Sequence, residues 1–114
     1  MSRIYKILAR SEWTAAQAAG VYEGSAVDRA DGFIHFSTAA QAQETARRHF
    51  AGQSDLIVVA FDADHLGAAI RWEPSRGGAL FPHFYGPLPT RLALAVTEAP
   101  LGPDETPDVG ELAP

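Results

Sequence analysis

The sequence of 114 residues contains no cysteine. Without thiols the chain cannot form disulfides or thiolate metal sites, so zinc ribbons are excluded. The absence of cysteine also fits a protein of the reducing cytoplasm, and we expect a cytoplasmic location.

Long hydrophobic runs and an excess of positive charge are also absent. The apolar stretch near the start, "IYKIL", is too short for a signal peptide, and no later stretch reaches membrane-spanning length. The formal net charge of −5 argues against a broad nucleic-acid surface. We therefore expect neither a membrane nor DNA as a partner, and the oligomeric state stays open.

The acidic residues are concentrated at the C-terminus. Residues 100–114, "PLGPDETPDVGELAP", carry four acidic residues and four prolines, with no basic residue. This composition predicts a flexible, solvated tail. The remaining residues, 1–99, have the length of one compact domain with a single core, and the chain is 46% hydrophobic overall.

Hydrophobic periodicity predicts strands and helices in alternation over the first half of the chain. "RIYKIL" is typical of a strand, Ser11 of a helix N-cap, and Gly20 of a helix end. Residues 21–30 have mixed polarity and predict a loop. "GFIHFS" predicts a strand with Ile34 and Phe36 on one face, and Phe33, His35 and Ser37 on the other.

Further elements follow from capping and strand signals. Thr38 and Gln41 have capping-box spacing, and alanines at helical spacing follow them up to Gly52. "DLIVVAFD" predicts a central buried strand, and "AIRWEP" a strand with Trp72 in the core. The prolines of "LFPHFYGPLP" predict a loop or an edge segment, and "RLALAVTEA" predicts the last strand.

These elements together predict the α+β class, with a small mixed, partly split β-sheet and two main helices.

Two of the four histidines stand among aromatic residues. His35 and His83 have apolar neighbours in sequence, whereas His49 and His65 are expected at the surface. A histidine in apolar surroundings needs a hydrogen-bond partner or has a functional role, because desolvation of a titratable group is costly. Both interpretations stay open for His35 and His83.

Three kinds of site could use these residues. A nucleotide or ribose pocket would combine His35 and Ser37, donors at the helix start near Thr38, a phosphate-binding Arg71 and aromatic walls. Acid–base catalysis would pair His35 or His83 with Glu73. A metal site from the same two histidines and Glu73 is disfavoured, because no HExxH spacing is present. Walker, GxGxxG and GxSxG motifs are also absent.

Four stretches carry a resemblance to a known family: "RIYKIL", "DGFIHFSTAAQAQETARRHFAG", "DLIVVAFD" and "RWEPSRGGALFPHFYGPLP". Together they resemble the small bacterial family called domain of unknown function 952, over about residues 3–98. The resemblance implies an ADP-ribosyltransferase-like fold around an NAD-binding cleft, with NAD as a substrate or ligand.

Enzymes of that fold have a histidine on an early strand, a Ser-Thr element and an aromatic wall. In this chain His35 resembles the early histidine, "FST" the Ser-Thr element, and Tyr85 the aromatic wall. Glu73 precedes Tyr85, which departs from the His-Tyr-Glu order of such enzymes.

The leading hypothesis is a cleft that binds a nucleotide-like molecule, such as NAD or ADP-ribose, or another phosphorylated small molecule. It implies transferase or hydrolase chemistry of the ADP-ribosyl type. The alternative is a non-enzymatic interaction or structural module, in which His35 and His83 only hold loops to the sheet. In the first hypothesis the catalytic residues are Glu73, His35 and His83, and the substrate-binding residues are Ser37, Thr38, Arg71, Phe81 and Tyr85.

Overall fold

The computed structural model describes residues 2–114, apart from the side chain of Arg76. Its strands are β1 Arg3–Ala9, β2 Val21–Tyr22, β3 Ile34–His35, β4 Leu56–Asp62, β5 Ile70–Pro74, β6 Leu80–Phe84, β7 Leu88–Pro89 and β8 Ala95–Ala99. Its α-helices are α1 Arg10–Ala19, α2 Ala26–Asp31, α3 Ala39–His49 and α4 Ala63–Leu66, and 3-10 turns cover Gly67–Ala69, Arg76–Gly78 and Thr90–Leu92.

The strands form three small sheets, in the orders β1-β4-β8, β3-β6-β5 and β2-β7. The α+β class and the split sheet are therefore as predicted. The predicted mixture of strand directions is not found, because the strand pairs within residues 2–114 are all antiparallel. Tyr5 and Ser37 exchange backbone hydrogen bonds of 2.8 and 2.9 Å, which join β1 to the chain just after β3.

Strand β4 is the centre of the core, as its apolar run predicts. All seven of its residues are buried, and its side chains alternate between two hydrophobic clusters. Ile57, Val59 and Phe61 pack with α1 and the other two sheets. Val58 and Ala60 lie on the opposite face, against Ala42 and Ala46 of α3 and the C-terminal segment.

Helix α3 begins where the capping box predicts. The Thr38 side chain accepts from the Gln41 backbone N–H, and the Gln41 side chain accepts from the Thr38 N–H. The prediction of Ser11 as the cap of α1 is wrong, because β1 stays paired with β4 up to Ala9 and the helix follows directly. Gly20 ends α1 in the left-handed conformation, as expected.

Substitution of Thr38 by Ala should lower the free energy of unfolding by about 1 kcal/mol, because the first turn of α3 loses its side-chain acceptor. The matched control is Ser11→Ala, which removes a hydroxyl that caps no helix and should change stability by less than about 0.5 kcal/mol. Urea unfolding of both variants checks this. Equal losses would contradict the assignment of the two helix starts.

The region predicted as a loop, residues 21–30, contains β2 and most of α2. Ser25 caps α2, and the Asp28 side chain completes a capping box by accepting from the Ser25 N–H. Gly24 has a φ of +105°, and a Cβ there would lie 2.7 Å from the Cβ of Asp28. Glycine therefore allows the close approach of this turn to the helix.

The Pro-rich segment was also predicted wrongly, since Leu80–Phe84 is the central strand of its sheet. Pro82 has no backbone N–H to donate, and it is tolerated because β3 ends at His35, before the position opposite Pro82. Just beyond that end only the Pro82 carbonyl is used, which accepts from the Phe36 N–H at 3.0 Å. Trp72 is 43% exposed rather than in the core, because it lies on the edge strand β5.

The last predicted strand is shorter than expected. Leu92 lies in a 3-10 turn, and only Ala95–Ala99 pairs with β4.

The C-terminal segment packs on the body, in contrast to a purely solvated tail. Val109 is buried in the cluster on the α3 side of β4, and the Gln43 side chain bonds the Pro107 carbonyl at 2.8 Å and the Val109 N–H at 3.1 Å. This contact could not be predicted from the sequence, because the buried apolar residues of the segment stand singly among prolines and acidic residues. The division into a domain 1–99 and a flexible tail stays a prediction.

Candidate functional site

Strand register brings the two histidines together. His35 of β3 is paired with His83 of β6, and His83 with Arg71 of β5, so their side chains share one face of the sheet. The ring centroids of His35 and His83 are 5.5 Å apart. By alternation Phe81 and Glu73, also paired in register, belong to the same face.

His35 lies between two carboxylates of helix α2. Its Nδ1 is 2.6 Å from Oδ1 of Asp28, and its Nε2 is 2.9 Å from Oδ2 of Asp31. The His35 backbone N–H also donates to Asp28, at 3.1 Å. Neither aspartate was predicted as a site residue, although the Ser25-x-x-Asp28 spacing is a recognisable helix-start signal.

His83 is held by Glu73 on the other side. Its Nδ1 is 2.8 Å from Oε1 of Glu73, and the Tyr85 hydroxyl donates to the same oxygen at 2.7 Å. The hydrogen bonds from Tyr85 and His83 lower the pKa of Glu73, and the bond to Glu73 raises the pKa of Tyr85. The guanidinium of Arg71 lies over the Tyr85 ring, 4.8 Å from its centroid.

Phe33 packs against both histidines. Its ring is stacked on His83 with centroids 4.0 Å apart, and its centroid is 4.5 Å from that of His35 and 5.4 Å from that of Tyr85. Strand alternation predicts Phe33 on this face, but a phenylalanine side chain by itself does not indicate a role at the site. Its contacts fix the two imidazole rings relative to each other.

A buried ion pair supports His35 from beneath. The Lys6 ammonium lies 2.9 Å from Oδ2 of Asp28, and the two side chains are 8% and 2% exposed. Burial lowers the pKa of Lys6, although Asp28 partly offsets this. Burial alone would raise the pKa of Asp28, but the His35 hydrogen bond and Lys6 outweigh it and hold that pKa below its ordinary value.

The Tyr22 hydroxyl is also close to Asp28, at 3.4 Å. No sequence pattern indicates a role for Lys6 at the site, because Lys6 stands inside an apolar strand.

A cleft of about 490 Å³ lies in front of the two histidines, bounded by β1, α2 and α3. Ser37 also lines this cleft, where its hydroxyl is 2.9 Å from that of Thr45. Other lining residues are Lys6, Asp28, Asp31, His35, Phe81 and His83.

Four predicted site residues do not line the cleft. Thr38 caps α3, whereas Glu73, Tyr85 and Arg71 form a chain of contacts behind His83. Glu73 is therefore placed to orient His83 rather than to contact a molecule in the cleft. His49 is exposed as expected but lines the cleft as well, whereas His65 is 62% exposed outside it.

Within residues 2–114, no three potential ligands among His, Cys, Asp and Glu side chains are grouped to hold a metal ion. Among the same residues, no helix combines the length and apolar character that crossing a membrane requires.

The fold and the site define a class: a small α+β domain with a cleft in front of two carboxylate-held histidines. The chain belongs to the family described as "Protein of unknown function (DUF952)", whose match covers residues 7–96. No curated protein matches the sequence.

Solved structures of protein CC0527 from Caulobacter crescentus are similar to this chain. A crystal structure has 51% sequence identity and a TM-score of 0.92, with 94% of each chain covered. A solution NMR structure has 52% identity and a TM-score of 0.84, with 94% of this chain and 92% of that chain covered. The crystal structure of a double mutant has 50% identity and a TM-score of 0.91, with 94% of each chain covered.

Proposed function

We propose that the cleft binds a phosphorylated or nucleotide-like small molecule, for which NAD and ADP-ribose are the first candidates. The observation that carries this proposal is the pairing of His35 with His83, each held through Nδ1 by a carboxylate and both lining one cleft. The choice of ligands follows from the ADP-ribosyltransferase-like fold that the resemblance to the family implies.

Acid–base chemistry is the reaction type that this geometry suits best. A carboxylate accepts from Nδ1–H, fixes the ring, and leaves Nε2 as the nitrogen that can exchange a proton with a ligand. In the proposed reaction His83 acts as general acid or base, and Glu73 is its positioning residue. His35, backed by the buried Lys6, supplies a donor for an anionic group of the ligand.

The reaction class that follows from these roles is group transfer to an acceptor or to water, as in ADP-ribosyl transfer or hydrolysis. Ser37 adds a hydroxyl to the cleft wall, and Phe81 an apolar ring. Arg71 and Tyr85 do not contact the ligand in this proposal. They help to position Glu73, which in turn positions His83.

Calorimetric titration with NAD and with ADP-ribose tests this function. We expect saturable binding to the wild type and a loss of about tenfold or more in affinity for His35→Ala and His83→Ala, because hydrogen bonds to charged groups are the stronger kind. His65→Ala, outside the cleft, is the matched control and should bind as the wild type does. No heat at millimolar ligand, with an unchanged melting temperature, would contradict the proposal.

A structural role is the second candidate, and the buried network favours it. His83 is 4% exposed, and Asp28 connects α2 to both β1 and β3 through Lys6 and His35. In that case Ala at either histidine should lower the free energy of unfolding by about 1–3 kcal/mol, without any ligand effect. Urea unfolding of the same variants, beside the titrations, separates the two functions.

A further inference from the structure

The two carboxylates that contact His35 are held very differently. Asp28 is 2% exposed and accepts from Lys6, from the Ser25 N–H and from both the ring and the backbone of His35. The Asp31 side chain is 50% exposed and contacts Nε2 of His35 from the cleft side. Asp28 is thus part of the scaffold, whereas Asp31 can be exchanged for another acceptor.

The position of Asp31 allows that exchange without a change of fold. Asp31 is the last residue of α2, and Gly32 follows it in the left-handed conformation with a φ of +88°. A rotation about the side-chain torsions of Asp31 turns its half-exposed carboxylate into solvent while the helix stays in place. His35 keeps its orientation throughout, because Asp28 still holds Nδ1.

We propose that the His35 edge of the cleft is a subsite for an oxyanion group of the ligand, and that Asp31 occupies this subsite in the free protein. This inference rests on the proposed function, and it specifies which part of a ligand His35 takes. The Asp31 carboxylate oxygen stands where a phosphate or carboxylate oxygen of the ligand accepts from Nε2.

Charge explains why the ligand replaces Asp31 instead of binding beside it. Two anionic groups at one imidazole repel each other, so the incoming oxyanion and the Asp31 carboxylate exclude one another. The charge of Asp28 does not add to this repulsion in the same measure, since Lys6 neutralises it at 2.9 Å. Asp31 therefore weakens the binding of any oxyanion at this edge.

The test compares the wild type with Asp31→Ala, using inorganic phosphate, acetate and ADP-ribose as probes. Glu111→Ala is the matched control, because Glu111 is exposed and does not line the cleft, and it removes the same charge. Affinities come from calorimetry, and the bound position from histidine ¹⁵N resonances at constant pH. We expect Asp31→Ala to bind phosphate and ADP-ribose about three- to fivefold more tightly, as for a partly exposed ion pair, with the change at the His35 ring.

The outcomes separate this inference from the proposed function. Equal affinity of the wild type and Asp31→Ala for ADP-ribose overturns the subsite and leaves the proposed function standing. Equal gains for Asp31→Ala and Glu111→Ala, or shifts at His65 in place of His35, also overturn it. Absence of binding to all probes in every variant overturns both. Gains for both phosphate and acetate support a subsite that takes either oxyanion, and a gain for phosphate without one for acetate restricts the subsite to phosphate. A gain for acetate without one for phosphate overturns the inference.

Discussion

Substitution of Asp28 by Asn should lower the free energy of unfolding by about 3–5 kcal/mol, which is the usual cost of breaking a buried ion pair by removing one partner. The change leaves the Lys6 ammonium buried without its counter-charge, and it removes the anionic acceptor of the His35 ring. Urea unfolding at pH 7 measures the loss. Lys6→Met should cost less, because Asp28 would keep the donors of Ser25 and His35.

The double variant is the control for this interpretation. In Lys6→Met with Asp28→Asn no charge is left without a partner, so the loss should be smaller than the sum of the two single losses by about 0.5–3 kcal/mol. Strict additivity would contradict a direct ion pair. A fully unfolded Asp28→Asn variant would still allow the comparison, through Lys6→Met and the double variant.

The pH dependence of stability follows from the same carboxylate. The pKa of Asp28 in the folded protein lies below the ordinary Asp value of 3.8, so its contribution is complete above that value and is lost as the pH falls through the folded pKa. Asparagine resembles the protonated form. The difference between the wild type and Asp28→Asn should therefore be constant near neutrality and shrink below about pH 4.

Local signals predicted the parts of the fold that local physics decides. The Thr38 capping box and the alanine stripe are short-range patterns, and the helix they define is the one the structure has. The apolar run of β4 requires burial on both faces, which only a central strand provides. Period-two alternation also placed His35, Glu73 and His83 on faces that the strand register then brought together.

Other parts of the site depend on long-range contacts that no local pattern shows. Helix α2 has six residues, too few for a clear hydrophobic period, and so the predicted loop over residues 21–30 includes Asp28 and ends just before Asp31. The burial of Lys6 is possible because Asp28, 22 residues away in the sequence, supplies the counter-charge. Pro82 predicts against a central strand because proline cannot donate a backbone hydrogen bond. The structure accommodates it because β3 is short and covers only Ile34–His35.

The core directly behind the site gives the second large effect. Phe61 is fully buried in β4, and its ring makes edge contacts with Trp13 and Phe36, with centroids 6.3 and 5.6 Å away. Phe36 immediately follows His35 in the chain. Phe61→Ala should therefore cost about 3–5 kcal/mol, because it removes a whole ring from a closely packed core.

Two further variants serve as controls for Phe61→Ala. Phe61→Leu retains most of the buried volume and should cost less than Phe61→Ala. Val96→Ala, on the exposed edge strand β8, should change stability by about 0.5 kcal/mol or less. If Phe61→Ala costs no more than Val96→Ala in urea unfolding, the packing assigned to β4 is wrong.

The site should respond to the same substitution. Since Phe36 fixes the end of β3 against Phe61, a cavity there loosens the backbone that carries His35 while Asp28 still holds its ring. In folded Phe61→Ala the imidazole resonances of His35 should move more than those of His65, and in Phe61→Leu they should move less. A shift confined to His65 would mean that the core behind β3 does not position the histidine pair.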